Sequence, residues 1–225
     1  PMFFLIAIWG YKDREKSANR FLIYNGVGSA IMLVAFLIIV ATAGFQAVET
    51  DNGTRLSYSG DLSMIEQNLN DQNSFANLPS GMLDNPFYMS DSLAWMLFIM
   101  LLIAFGIKLP IFPFHTWMLR VHTEAPPPVV MIHSGILLKM GAYGLIRFGI
   151  GLFPEQAQSW AVVLAVLGLI NIIYGALLAF VQKEFKLLLA YSSISHMGIV
   201  LLGIAAWNEV GLQGAMIQLV SHGFI

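Results

Sequence analysis

The sequence predicts an all-α, polytopic transmembrane helix bundle, and three observations lead there. Of its 225 residues 57% are hydrophobic and only 11% charged, with a mean hydropathy of +0.73. A water-soluble domain carries about 25% charged residues, and so few charges could not cover its surface. Apolar stretches of about 20 residues recur along the chain, the length a helix rising 1.5 Å per residue needs to cross about 30 Å of hydrocarbon. The connections between them alternate between basic and non-basic, as successive crossings require. No stretch alternates apolar and polar with period 2, so barrel strands are not expected.

The elements follow in order. Met2–Trp9 is too short to span and reads as the last turns of a helix that starts upstream. Phe21–Phe45 is a first full span without charge. Ser92–Phe114 is a second, with Lys108, Pro110 and Pro113 near its end. Pro128–Ile150 is a third, with Lys139 near its middle. Trp160–Val181 and Phe185–Trp207 are a fourth and fifth, and Val210–Ile225 begins a sixth. No signal-peptide layout precedes the first span, because the basic cluster follows Met2–Trp9. With Leu212–Ile225 ending inside an apolar run, the sequence reads as an internal part of a longer chain.

Lys12, Arg14, Lys16 and Arg20 crowd the first connection; Arg120 marks the third, and Lys183 and Lys186 the fifth. Gln46–Asp91 holds one basic residue, Arg55, among seven acidic ones, and is expected as a solvated extramembrane loop with Pro79 and Pro86. Gly151–Ser159 and Asn208–Glu209 carry only acidic charge. The basic connections should therefore share one side of the membrane.

Composition also removes function classes. With 11 Lys+Arg against 13 Asp+Glu there is no basic excess to meet phosphates, so no nucleic-acid partner is expected. The absence of Cys excludes disulfides, thiolate metal sites and thiol catalysis on this chain. No phosphate-cradling glycine loop, nucleophile elbow or haem-attachment motif occurs. No cofactor and no metal are expected on it.

The candidate functional residues are ionisable groups at costly depth. A Lys at the bilayer centre costs about 2.5–3.5 kcal/mol on insertion scales. Lys139 is too deep to snorkel easily, and is either half of a buried ion pair or a carrier of charge. Lys108 sits inside its span, and Pro110 and Pro113 remove backbone donors just after it, so the helix should break there. Broken helices in membranes are tolerated where they line a cavity or an ion path. His196 and His222 fall near the midplane. His133 precedes Lys139 by about 9 Å along the axis and about 120° around it, so the two should touch different neighbours. An intramembrane His is a hydrogen-bonded core residue or a relay; three of them beside two lysines suggest proton translocation. His115, His122 and Glu124 lie in the connection after the break. Their spacing suits a metal poorly and suggests loop capping or a place near a proton path.

Five stretches then carry a resemblance. Residues 108–117 (KLPIFPFHTW), 122–126 (HTEAP) and 135–148 (GILLKMGAYGLIRF), followed by 190–198 (AYSSISHMG) and 218–223, resemble the antiporter-like membrane subunits of respiratory complex I, of the chain M or subunit 4 type. The match is specific from about Ser92 onward and looser before it. Many relatives read Leu-Pro-Asp-Ala-His where this chain reads Met118-Leu119-Arg120-Val121-His122, so no acidic role is carried over there.

The resemblance implies an antiporter-like fold with inverted repeats, of which residues 1–225 form part of a single proton-translocating transmembrane domain. It implies that Lys108 is the lysine of the broken helix, with a glutamate partner upstream of Pro1, and that Lys139 is the lysine of the next helix. His196 and His222 would belong to a polar axis joining proton half-channels. NADH, FMN, Fe–S clusters and quinone would reside on partner subunits, membrane and peripheral, within a bacterial plasma membrane. Pro126–Pro128 with Ile132-His133-Ser134 is also similar to multi-subunit sodium/proton antiporters and membrane-bound hydrogenases. A third reading is a scaffold whose buried charges only hold neighbours together.

Overall fold

The computed structural model describes residues 1–50, 53–78, 85 and 87–224; Pro79, Pro86 and Ile225 lie outside the described residues. A short helix α1 (Met2–Trp9) leads into α2 (Arg14–Ala43), then a β-hairpin of β1 (Phe45–Thr50) and β2 (Gly53–Tyr58), and α3 (Leu62–Asn70). Next come α4 (Asp91–Lys108) and α5 (Thr116–Glu124), separated by an interruption. A continuous helical span, Pro127–Ile150, follows. It contains α6 (Pro127–Ile132) and α7 (Leu138–Gly144), each followed by a stretch of i→i+5 bonding, His133–Leu137 and Leu145–Ile150. The chain then runs through α8 (Pro154–Ser159), α9 (Ala161–Val181), α10 (Phe185–Ala205) and α11 (Glu209–Phe224). Among the described residues, five helical spans are long and apolar enough to cross a membrane.

Helix starts follow their capping chemistry. The Ser90 hydroxyl accepts the Leu93 N–H at 3.2 Å, and Asp91 complements the helix dipole in the first turn of α4. Asp61 caps α3 through the Ser63 N–H. The polar segment expected as a plain loop thus carries a hairpin, in register from Phe45↔Tyr58 to Thr50↔Gly53, and a helix. The Asn68 amide ties that helix to the bundle by donating to Ala43 O (2.7 Å) and Phe45 O (3.2 Å). Arg147 meets Glu66 at 3.8 Å from the other side.

The three basic connections gather at one end of the bundle. The Glu124 carbonyl accepts the Tyr11 N–H at 2.8 Å, and its carboxylate accepts the Asp13 N–H at 2.9 Å. Lys186 donates to Thr123 O and Ala125 O and lies 4.1 Å from the centre of the Tyr11 ring. The end of α5 is therefore held from both sides, with a cation on its last carbonyls where the helix dipole favours one.

Close packing depends on glycine. Lipid offers helices no hydrophobic reason to associate, so small residues that admit a backbone decide where they meet. Gly28 of α2 faces Ala104 and Ile107 of α4. A Cβ on Gly141 would stand 2.6 Å from Leu109 N and 3.0 Å from the Lys108 Cβ, so the two lysine-bearing helices touch beside the interruption. Gly168 and Gly175 of α9 face Gly198 and Ser195 of α10 in the same way. Large apolar side chains such as Leu37, Leu177 and Phe180 point outward, and Phe98, Leu101 and Trp117 fill the interior.

Gly144 lies against the ring of buried Phe105, which a Cβ would collide with. Gly144→Ala is expected to destabilise the fold by about 1–3 kcal/mol, the usual cost of overpacking. A lowered midpoint in thermal unfolding of the detergent-solubilised protein checks this.

Candidate functional site

The interruption after Lys108 is built by its prolines. Pro110 and Pro113 supply no N–H, so the carbonyls one turn earlier lose their helical partners. Gly106 O takes the Ile111 N–H at 2.9 Å instead. Ile107 O accepts from the indole Nε1 of Trp117 at 3.0 Å. Phe112 N–H, pointed away from the helix, donates to Oδ1 of Asn171 on α9 at 2.8 Å, and the Asn171 amide nitrogen reaches Pro110 O at 3.5 Å. Lys108 ends α4 with its ammonium on the Ser29 hydroxyl of α2, 3.0 Å away.

Beyond the break, the residues expected as a connection form α5. Trp117, Met118, Val121 and His122 are buried along one side, which is the helical pattern a loop reading overlooks. His115, His122 and Glu124 consequently do not meet. The His115 Nε2 pairs with the Tyr174 hydroxyl at 3.1 Å, His122 turns toward Ser134, and Glu124 caps the first connection. Among the described residues no group of three or more His, Asp or Glu gathers at metal-binding distance.

Lys139 occupies a different setting. Its ammonium donates to the main-chain carbonyl of Ser134, within the i→i+5 stretch, and to Nδ1 of His222 on α11 at 2.6 Å. The His222 ring stands 5.4 Å from that of His196 on α10, centroid to centroid. The Gln218 amide donates to the His196 Nδ1 at 3.0 Å, which leaves the ring proton of neutral His196 on Nε2. His133 points elsewhere. It is fully buried, edge-on to Trp117 (5.3 Å) and His122 (5.5 Å), and neither ring nitrogen has a hydrogen-bond partner among the described residues.

Two cavities open on this line. One, of about 200 Å³, is lined by His122, Ser134, Ser192, His196 and His222 among others. The second, of about 330 Å³, lies between α9 and α10 and touches Ser192, Ser195 and His196. His196 borders both. An ammonium bonded directly to an imidazole can pass its proton over one hydrogen bond without moving a heavy atom. The step between the two rings is longer and suits a bridging water.

The family model described as "NADH:quinone oxidoreductase/Mrp antiporter, TM" matches residues 1–225. The chain belongs to this family. As a member of the NADH:quinone oxidoreductase/Mrp antiporter family it is an integral, multi-pass membrane protein. Over 225 residues it is 45% identical to NAD(P)H-quinone oxidoreductase chain 4 of Thermosynechococcus vestitus and 46% identical to a chain 4 of Synechococcus elongatus. Each match takes in 100% of this chain and 36% of the relative, so the chain spans about a third of the length of these curated relatives. Among solved structures it is similar to a chain of respiratory complex I from Thermus thermophilus, with TM-score 0.79 and 28% identity over 99% of this chain and 41% of that one. It is also similar to a chain of the Mrp complex from Dietzia, with TM-score 0.72 and 25% identity over 99% and 21%.

Within this family fold, several site residues escape a search for charge. Ser29, Ser134, Asn171, Tyr174 and Gln218 are neutral, yet each holds one of the groups described above. An isolated amide in an apolar span, as at Asn171, was the available signal. Trp117→Phe keeps an aromatic ring against His133 but leaves Ile107 O without its donor. It is expected to lower stability by about 1–3 kcal/mol, read as a shift in thermal unfolding of the purified full-length protein.

Proposed function

We propose that this chain is part of a proton-translocating membrane subunit of an NAD(P)H–quinone oxidoreductase, coupling redox chemistry on other subunits to proton movement through its own helices. The line Lys139–His222–His196 carries the reading. It joins three helices through titratable groups, borders two cavities and contains no carboxylate that would fix the lysine as an ion pair. The chain 4 names of the cyanobacterial relatives and the likeness to the Thermus complex support it.

In this reading Lys139 releases a proton to the Nδ1 of His222, and His222 passes one to His196 by way of water in the cavity they share. Gln218 occupies the Nδ1 of resting His196, so the ring takes the incoming proton on Nδ1 as the Gln218 amide withdraws and releases the outgoing one from Nε2. Lys108, on a hydroxyl and packed beside Gly141, changes its charge when an acidic partner approaches or leaves. That change alters the field at Lys139 and so sets when its proton departs. Pro110 and Pro113 keep the helix open there. His115, His122, His133 and Glu124 lie near the path, and His122 joins it through Ser134. NADH, FMN, Fe–S clusters and quinone act on partner subunits, and the whole sits in a bacterial plasma membrane with residues 46–91 outside the bilayer.

The likeness to the Mrp complex favours a second reading, a subunit of a multi-subunit sodium/proton antiporter. Reduction of quinone by NADH or NADPH in the purified native complex supports the first; sodium-driven proton exchange without it supports the second.

Lys139→Ala in the full-length subunit is expected to depress proton pumping severalfold while the complex assembles in normal amount. Proton uptake by inverted membrane vesicles, measured beside complex content on native gels, checks this. Normal pumping with normal assembly overturns the role of Lys139, and parallel loss of both supports a scaffold instead.

A further inference from the structure

We propose that Asn171 is a positioning residue that locks the interruption between α4 and α5 to the α9–α10 pair, and thereby sets where Lys108 stands relative to His196. The inference rests on the proton-translocating reading above. Asn171 is fully buried, and its hydrogen-bond partners on the break are both main-chain groups: Phe112 N–H at 2.8 Å and Pro110 O at 3.5 Å. An amide offers an acceptor and donors on separate atoms, which is what a turning backbone with one outward N–H and one outward C=O requires. A polar residue serving only to join helices would bond to the helix it packs on. Asn171 packs on α10, where a Cβ on Gly198 would stand 2.9 Å from its own, yet its amide bonds to the break.

Its anchorage is rigid for the same reason. Gly168 and Gly175, three before it and four after it on α9, seat α9 against the α10 backbone, and the Ser195 hydroxyl donates to Ile172 O at 3.3 Å. One turn along the same face, Tyr174 holds His115 at the far end of the break. Residues three apart on α9 thus grip both halves of an interruption that begins at Lys108 and ends at His115, and α10 carries His196 on the same rigid pair. Without Asn171, Phe112 N–H and Pro110 O lose their partners where water is scarce, and the break is free to relax.

The test measures protons taken up per NAD(P)H oxidised, in inverted vesicles holding the full-length subunit in the assembled complex. N171L removes both contacts at similar volume, and the proton yield is expected to fall about tenfold, the population shift expected when these two buried contacts, one of them long, are lost. N171D restores both contacts only while its carboxyl is protonated, with the O–H donating to Pro110 O and the C=O accepting from Phe112. Its yield should approach wild type on the acid side and fall away as the carboxyl ionises. An assembled N171L with wild-type yield, or an N171D whose pH profile parallels wild type, overturns the proposal. If N171L does not assemble, N171D decides alone. Lys139→Ala is measured alongside. Normal pumping with normal assembly in that variant overturns the role of Lys139 and with it the line that carries the translocation reading, whereas impaired Lys139→Ala with normal Asn171 variants overturns the positioning role alone.

Discussion

A helix that stops inside a bilayer leaves main-chain donors and acceptors with no water to meet them, and the rest of this structure is arranged around meeting that demand. The interruption from Leu109 to His115 survives because Ile111 N–H, the Trp117 indole and the Asn171 amide take over the pairings that Pro110 and Pro113 abolish. Each substitute comes from a different place: the break itself, α5 and α9. Those elements must then hold fixed positions, and the glycine contacts at positions 141, 168, 175 and 198 are what allow them to. Backbone satisfaction and helix packing are here one constraint.

The second property of the site is what its lysines are bonded to. Among the described residues the ion pairs are Lys16–Asp13 and Arg147–Glu66, both exposed. Lys108 faces a hydroxyl, and Lys139 a carbonyl and an imidazole. Such partners orient an ammonium without cancelling its charge. A buried lysine paired to a carboxylate is costly to separate from it, whereas one held by neutral acceptors loses a proton and keeps its geometry. At Lys139 that difference is what the proposed movement of charge relies on, while for Lys108 the same proposal invokes an acidic partner.

How much of this was legible in the sequence follows from the strength of each signal. The last three full spans agree within about two residues because an apolar run of about 20 has few competing explanations. The first helix instead begins earlier, at Arg14 in place of Phe21, and the second ends at Lys108 in place of Phe114, where the break cuts it. The break at Lys108 was legible because two prolines and a charge coincide in an otherwise apolar segment. The meeting of the three basic connections at one end follows the alternation of charge. Helix α5 was not legible, since Thr116–Glu124 mixes His, Arg and Glu with its apolar face and so resembles a connection. Nor was the hairpin Phe45–Tyr58, whose strands sit in a polar segment without a marked alternation. Asn171 and Gln218 were passed over because one amide in an apolar helix looks the same from sequence whether it faces a neighbour or a broken backbone.

The i→i+5 stretch at His133–Leu137 has one more consequence. The acceptor nearest Lys139 on its own helix is the peptide oxygen of residue 134, so this half of the lysine's cradle is written in chain geometry and not in a side chain. Exchanging the serine for another residue would spare that oxygen. Removing one residue between positions 133 and 138 would bring the widened turn back to ordinary pitch, leaving later side chains near their present azimuth but closing the wide turn that offers the residue-134 oxygen to the ammonium. At this point in the protein, spacing is under tighter control than composition.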